Sequence, residues 1–492
     1  MEYLQTPLFI KKQSISNKDY SLSPINYQIV RCKNKNIEYI KTLIDEDNTF
    51  VGKEIGEQSY RDFNTGYKYI RTRSIQGFSN LLVNEEDIIF IIPSSFKDYN
   101  LFNGDILFVK DTNIGDVAIF HNFYNKKYSF NSGIMKLTFK ENKYYIYAFL
   151  KSNFIKSQLK VLIPKGATIK HSKKKIMECF IPFPKEKNII EYISILTEDM
   201  INKEIEIYKR NKEIDFEIDK ELKENQKKNN FIFHFPKNKE LKNEKRLDIG
   251  IYCKNFKKIL YLIKNYKGGY FENIFDMGFD MHRGQNLQIS CIGDSIISEI
   301  GNGYMYKLIR NEELGNKKNI GEIKFLGNIN KNLMAIKKGE IMFSSEGNIG
   351  NVMIFCDEIS NTISNIHGRF IYKKDEISLK ESVFLGCFLN DLKGLDFYNN
   401  LRVGGQGGSL TDNHFYKIAI PKFKEEIKNK ILKLYYNPIK KEDFNLVCYL
   451  KKEFKRNKEL GLFQLNIEYL NLKDKINSLI NRVILDKNIK IE

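Results

Sequence analysis

Basic and amide side chains are the chemistry this sequence offers most freely. Lys165, Lys170, His171, Lys173, Lys174 and Lys175 crowd one stretch, where their charge suits phosphate oxygens. A run of solvated lysines is the competing reading. Arg402-Val-Gly-Gly-Gln-Gly-Gly-Ser409 offers more specific contacts. Its glycines let a backbone approach closely, and Arg402 and Gln406 have the paired groups that match guanine and adenine edges. A plain flexible loop is the alternative. Arg71, Arg73, Arg283 and Arg310 flank segments that read as strands; each can reach a groove, although a lone surface arginine is commonplace.

Enzyme chemistry is mostly missing. The glycine-rich segment is not a phosphate-binding loop, since no Gly-Lys-Ser/Thr follows it. Neither an Asn-Pro-Pro-Tyr-like tetrapeptide for amino-methyl transfer nor a Gly-x-Ser-x-Gly occurs. Asp294 with Glu322-Ile-Lys324 has the residue types of a metal nuclease, in which carboxylates hold Mg²⁺ and lysine polarises phosphate. In a chain so rich in Glu and Lys, coincidence outweighs it. The six histidines show no ligand spacing, and the seven cysteines form no C-x-x-C pair, so neither a zinc site nor a disulfide framework is suggested.

The elements that must position these residues occur twice. Gly104-Asp-Ile-Leu-Phe-Val-Lys-Asp-Thr-Asn-Ile-Gly-Asp-Val-Ala-Ile-Phe120 returns 235 positions later as Gly339-Glu-Ile-Met-Phe-Ser-Ser-Glu-Gly-Asn-Ile-Gly-Asn-Val-Met-Ile-Phe355. In strand geometry Ile106, Phe108, Val117 and Ile119 share one face, and all four are kept as Ile341, Phe343, Val352 and Ile354. The other face drifts, as where the surface packed against it has diverged. The Asn and Gly between the strands suit a turn needing positive φ. The pattern predicts a β-hairpin, held twice.

The rest of each half follows the same order. Ser23-Pro-Ile-Asn-Tyr27 and a short helix near Ile37 to Ile44 are echoed by Leu247 to Tyr252 and Phe256 to Ile263. Gly66 to Arg71 resembles Gly303 to Arg310, alternating segments that end on arginine. After each hairpin come an apolar helical stretch (Tyr144 to Phe154, Val383 to Leu392), a glycine-containing loop and a strand closing in Ile-Pro, at Pro182 and Pro421. From Glu186 to about Gln226 there is no Gly or Pro, and Ile193, Met200, Ile207 and Ile214 recur every seven residues. That is a long helix with an apolar seam. The companion positions run Leu196, Lys203, Arg210, Glu217, which predicts a helix partnered over part of its length. Beyond Pro421 the chain is again helical, interrupted at Pro438 and resumed over Phe444 to Leu460 and Leu465 to Leu485. The two helical regions can pack on each other.

With 492 residues the chain exceeds one hydrophobic core. Its 80 Lys+Arg against 61 Asp+Glu leave a formal charge of +19, which favours a polyanionic partner; AT-rich codon usage is the competing reading of the lysine excess. The longest apolar runs fall far short of the ~20 residues that span a bilayer. No targeting segment precedes them, and the thiols look reduced. The expected setting is therefore cytoplasmic.

Taken in order, the Gly-Asp/Glu-Ile hairpin with Asn-Ile-Gly, the closing Ile-Pro, the helix after it and Arg246-Leu-Asp248 with Tyr252 resemble the specificity subunit of Type I restriction-modification systems, over nearly the whole chain. The terminal helical region departs from the central one at Pro438. The resemblance implies an α+β fold. Two homologous β-rich mixed target-recognition domains (1–185 and 236–425) would be separated by a spacer helix (186–235) and followed by a helical region (426–492), the long helices packing as an antiparallel pair. It also implies a non-catalytic subunit that reads an asymmetric bipartite site in double-stranded DNA. The expected partners are two methyltransferase subunits and a restriction/translocase subunit, with S-adenosylmethionine, ATP and Mg²⁺ held by those partners and no cofactor in this chain. Two domains on one chain then do what a symmetric dimer does on two half-sites, with the helices as a ruler. Other classes remain open at this point: a stand-alone nuclease using Asp294, Glu322 and Lys324, and a protein-binding helical scaffold.

Overall fold

The computed structural model describes residues 3–16, 22, 24–82, 88–163, 174–227, 230–298, 305–310, 323–327, 329, 332–358, 361–374, 378–404, 408–441, 446–486 and 488–489. Ten strands of the first half have ten counterparts in the second. The first set is β1 (Ile37–Tyr39), β2 (Phe50–Val51), β3 (Tyr60–Arg61), β4 (Tyr67–Ile70), β5 (Ile89–Ile91), β6 (Ile106–Val109), β7 (Val117–Ile119), β8 (Lys127–Phe130), β9 (Ile134–Leu137) and β10 (Phe180–Pro182). The second is β11 (Tyr270–Phe271), β12 (Phe279–Arg283), β13 (Ile296–Ser298), β14 (Tyr306–Leu308), β15 (Lys324–Gly327), β16 (Ile341–Ser344), β17 (Val352–Ile354), β18 (Thr362–Ile363), β19 (Gly368–Lys373) and β20 (Ile420–Pro421). Each strand and the one numbered ten higher hold the same place. The sheets run β2-β9-β6-β7, β8-β4-β5-β3 and β10-β1 in the first half, and β12-β19-β16-β17, β18-β14-β15-β13 and β20-β11 in the second. The parallel strand pairing recurs too, β4 with β8 and β14 with β18.

Both repeated segments are hairpins in the same register: Ile106 lies opposite Ile119 and Phe108 opposite Val117, as Ile341 lies opposite Ile354 and Phe343 opposite Val352. Positive φ falls on Gly115 (93°) and Gly350 (85°) as the sequence suggests. The second such residue is Thr112 (63°) or Gly347 (67°), not Asn113 or Asn348. Both faces of the hairpins are buried. In the first half the drifting face (Leu107, Val109, Ala118) joins one core with Ile70, Tyr128 and Phe130 of the neighbouring sheet. In the second half the unchanged face packs against a helix. A Cβ added at Gly386 would stand 2.4 Å from Ile354 Cγ1. Gly386→Ala, which in an open helix gains about 1 kcal/mol, is therefore expected to cost about 1–3 kcal/mol through overpacking. The denaturant midpoint of the second half reads this out.

Two local expectations change. Ile37–Tyr39 is a strand paired with Phe180–Pro182, and only Ile40–Leu43 is helical; a long-range ladder wins over a short apolar run that periodicity alone leaves ambiguous. The stretch from Tyr144 splits into α1 (Lys143–Lys151) and α2 (Asn153–Leu162), because the Ser152 hydroxyl donates to Phe149 O at 2.6 Å and closes the first helix. The other helices that frame the two halves are α3 (Lys187–Glu224), α4 (Lys254–Lys264), α5 (Leu379–Gly394, which carries Gly386), α6 (Phe397–Leu401), α7 (Glu425–Tyr435), α8 (Tyr449–Asn457) and α9 (Leu462–Leu485).

The chain forms two compact units that cut across the segments read from the sequence. One comprises Met1–Ile205, Lys441–Lys458 and Ile467–Glu492; the other comprises Glu206–Lys440 and Glu459–Asn466. Within the first unit α3 and α9 run antiparallel, since Lys203 meets Glu468 at 2.9 Å while Lys475 lies 5.1 Å from the centre of the Tyr192 ring. Within the second, Glu217 of α3 pairs with Lys430 at 2.7 Å and Glu221 accepts from the Tyr266 hydroxyl.

The seam residues Ile193 (0% exposed), Met200 (5%), Ile207 (2%) and Ile214 (0%) are all buried. In the companion row Leu196 and Lys203 are buried too, whereas Arg210 and Glu217 are half-buried. Lys203 is 0% exposed and contacts Glu453 at 3.0 Å, Glu468 at 2.9 Å, Asn457 Oδ1 at 2.6 Å and Asp199 at 3.6 Å. Arg210 pairs with Glu213 at 2.7 Å. At Lys203 the row is packed through charge where the sequence pattern expects an apolar side chain. Among the described residues no helix is long and apolar enough to cross a membrane, and no group of three His, Cys, Asp or Glu is placed to hold a metal ion.

Candidate nucleic-acid interface

In the second unit the hairpin turn after β16 meets the glycine-rich segment. Val403 and Ser409 pair backbone to backbone, Ser409 bridges Glu346, and Leu410 N donates to Ser345 O at 2.9 Å. Gly404 has φ 101°, a conformation open to glycine at little cost. A Cβ on Gly408 would come 2.9 Å from Arg402 Cδ, so the arginine stem lies along the loop. Gln406 is outside the described residues.

Arg246 clasps the stem of this loop. Its guanidinium donates to both oxygens of Asp248 at 2.7 Å, to Leu401 O at 2.7 Å and to Arg402 O at 3.1 Å, and the Tyr252 hydroxyl donates to Arg246 O at 2.8 Å. The same hydrogen bond from Arg246 holds the Asp248 carboxyl below its ordinary range. The Arg246-Leu-Asp248…Tyr252 motif is thus a device for setting where Arg402 leaves α6.

Next to the loop, Arg369 is almost fully buried and donates from Nε to Asp412 Oδ1 at 2.8 Å and from Nη1 to Ile366 O at 3.2 Å. Arg283, at the end of β12 and 61% exposed, stands 3.9 Å from the other Asp412 oxygen. His367 contacts Glu346 of the turn, and its carbonyl accepts from Ser345 Oγ at 2.7 Å. Gln285 N donates to Ser364 O at 2.8 Å, and Ile309 N donates to Ile363 O at 3.0 Å. That second bond brings Arg310 beside the same β18–β19 connection. Arg283 and Arg310 are therefore set beside the β18–β19 connection, and Arg402 beside the hairpin turn.

The first unit presents the corresponding groups. Arg71 follows β4, its amide donating to Ser74 Oγ at 3.2 Å, and Arg73 is exposed. Thr112 Oγ1 of the hairpin turn donates to Thr72 Oγ1 at 3.4 Å, and Lys110 N donates to Gly133 O at 2.9 Å in the β8–β9 connection. Lys110 itself pairs with Asp111 at 2.9 Å. Arg71 and Arg73 are thus brought beside the first hairpin turn. Lys165, Lys170 and Lys173 lie outside the described residues, as does Glu322; Asp294 is exposed ahead of β13 and Lys324 opens β15.

Arg369, Asp412 and the clasp role of Arg246 are not apparent from the sequence. The one signal there is the Arg246 motif itself, which carries no hint of its partners at 401 and 402. Guanidinium groups of graded burial thus stand around hydrogen-bonded backbone turns, and such groups can donate to phosphate and base-edge acceptors.

Residues 32–212 match the family model of the Type I restriction modification DNA specificity domain. The match lies within the first half of the chain. No curated protein sequence matches the chain. Among solved structures, the chain is similar to the S subunit of a Type I restriction-modification system from M. genitalium, at 15% identity and TM-score 0.39, covering 91% of this chain and 99% of that one. It is also similar to the HsdS subunit from Thermoanaerobacter tengcongensis, at 11% identity and TM-score 0.26, covering 92% of this chain and 97% of that one. Those superpositions are too loose to transfer anything to this chain.

Proposed function

We propose that this chain, whose residues 32–212 carry a Type I restriction-modification DNA specificity domain, reads an asymmetric bipartite site in double-stranded DNA with two recognition domains. The observation that carries the reading is the repeated strand order: the second half has the sheets of the matched half, strand for strand. Two like domains whose loops differ take two unlike half-sites. Residues 1–185 and 236–425 serve as the recognition domains, 186–235 as the spacer and 426–492 as the terminal helical region. Two methyltransferase subunits and a restriction/translocase subunit are the partners. They would bring S-adenosylmethionine, ATP and Mg²⁺, and the complex would act in the cytoplasm.

The test is base-resolved binding of the assembled complex. Arg402→Ala and Arg283→Ala are expected to weaken binding about ten-fold each, within the 1–3 kcal/mol of one base-edge contact, and to relax base preference in one half-site. Arg71→Ala should do so in the other half-site alone. Loss spread evenly over both half-sites, or cleavage by the isolated chain with Mg²⁺ that disappears on Glu322→Ala, would overturn the reading.

A further inference from the structure

One backbone amide is tied to the helical framework in both halves, by different means. It belongs to the last residue of the second hairpin strand. In the second unit Ile354 N donates to the hydroxyl of Tyr435, a fully buried residue of α7, at 3.2 Å. In the first unit the equivalent Ile119 N donates to Asn80 O at 2.7 Å, and Asn80 is in turn gripped by α3. Glu204 accepts from Asn80 N at 3.0 Å, from Asn80 Nδ2 at 2.9 Å and from the Ser79 hydroxyl.

The grip is closed on its other sides. Asn80 Nδ2 also donates to the Tyr469 hydroxyl of α9 at 2.9 Å, and the Tyr147 hydroxyl donates to Asn80 O at 3.2 Å. Lys151 Nζ donates to Ser79 O and, at 2.9 Å, to Val117 O on the hairpin strand itself. Burial pushes the Lys151 ammonium down to about 7. Ser79, Asn80 and Tyr147 are all buried. A half-buried helix carboxylate with several donors from one loop has little freedom to shift, since each lost bond leaves a buried donor unpaired.

Resting on the bipartite reading above, we propose that Glu204 in the first half and Tyr435 in the second are positioning residues. Each fixes its recognition hairpin on the helices, and together they restrict the complex to one gap length between half-sites. Neither residue reads a base. Their role is to remove angular play between the hairpin and the helix that carries it, and play at that joint is felt at the DNA as tolerance of longer or shorter gaps.

The experiment measures binding of the full-length chain in its assembled complex to duplexes carrying the cognate half-sites at a series of gap lengths. The wild type is expected to bind gaps one base pair too long or too short at least ten-fold more weakly, a difference of about 1.4 kcal/mol. In Glu204→Ala and in Tyr435→Phe that penalty falls to about three-fold, while discrimination against single-base changes within each half-site is unchanged. Tyr435→Phe removes one oxygen and keeps the ring, so it guards against a variant that merely fails to fold. Unchanged gap selectivity in both variants overturns the positioning role, as does a loss of base discrimination with the gap preference intact. A wild type indifferent to gap length would instead overturn the bipartite reading and this inference with it.

Discussion

Lys203→Met is expected to destabilise the first unit by about 3–5 kcal/mol, the cost of breaking a buried ionic cluster by removing one member. The cluster holds two cations and three carboxylates. Besides its contacts to Lys203, Glu453 pairs with Arg456 at 2.8 Å, Arg456 also reaches Glu468, and Asn457 Nδ2 donates to Asp199 at 3.0 Å. With the lysine gone, Asp199 keeps only neutral donors, the Asn457 amide and the Tyr449 hydroxyl at 2.9 Å. Burial already holds the Asp199 carboxyl above its ordinary value against the pull of Lys203, whereas hydrogen bonds from Arg456 and Lys203 outweigh burial and hold Glu468 below. Removing Lys203 raises both. A carboxyl whose folded value is raised adds stability at low pH that is lost as pH rises, so the deficit of the variant should shrink between pH 7 and pH 5. Denaturant unfolding followed by a probe in the first unit checks the size and the sign. A loss below about 1 kcal/mol, of the order of an exposed pair, would mean the cluster is not desolvated.

The second large effect concerns length. Four residues inserted in α3 between Lys212 and Glu213, both exposed, extend it by about 6 Å and rotate the remainder of the helix by roughly 40° beyond a full turn. The site falls between the anchors at Lys203 and Glu204 and those at Glu217 and Glu221, so neither set is broken. At about 3.4 Å per base pair, the preferred gap should grow by one or two base pairs with the half-site sequences unchanged. The original gap should lose about 100-fold in affinity, most of the contribution of one half-site. Methylation mapping or a gap-series binding assay decides it; an unchanged gap would end the spacer model.

The elements legible in the sequence are those set by near neighbours. Periodicity over Glu186 to Gln226 is a property of one helix, and α3 appears within two residues of those ends. The duplicated hairpin is legible because Ile106, Phe108, Val117 and Ile119 are kept as Ile341, Phe343, Val352 and Ile354, while Leu107 and Val109, which join the core of the neighbouring sheet, are not. What stays illegible depends on distant partners. Ile37–Tyr39 is a strand only because Phe180–Pro182 lies beside it. Lys203 breaks the apolar row unless Glu453 and Glu468 are known to cover it. Arg402 is visible as a candidate, but Arg246, which sets its exit from α6, and Arg369 with Asp412 beside it are joined only by the fold.

The composition of the first unit bears on the order in which the chain can fold as it is made. Lys203 leaves the ribosome early, yet Glu453 and Glu468 are synthesised some 250 residues later, a wait on the order of ten seconds to a minute at ordinary elongation rates. Through that interval the spacer helix stands without the C-terminal helices that pack on it. A second row of leucines beside Ile193 and Met200 would make the waiting helix an aggregation hazard. Asp199 and Lys203 beside them keep it hydrated until the last helices arrive. The charges that look like defects in the finished core are what make the nascent chain tolerable.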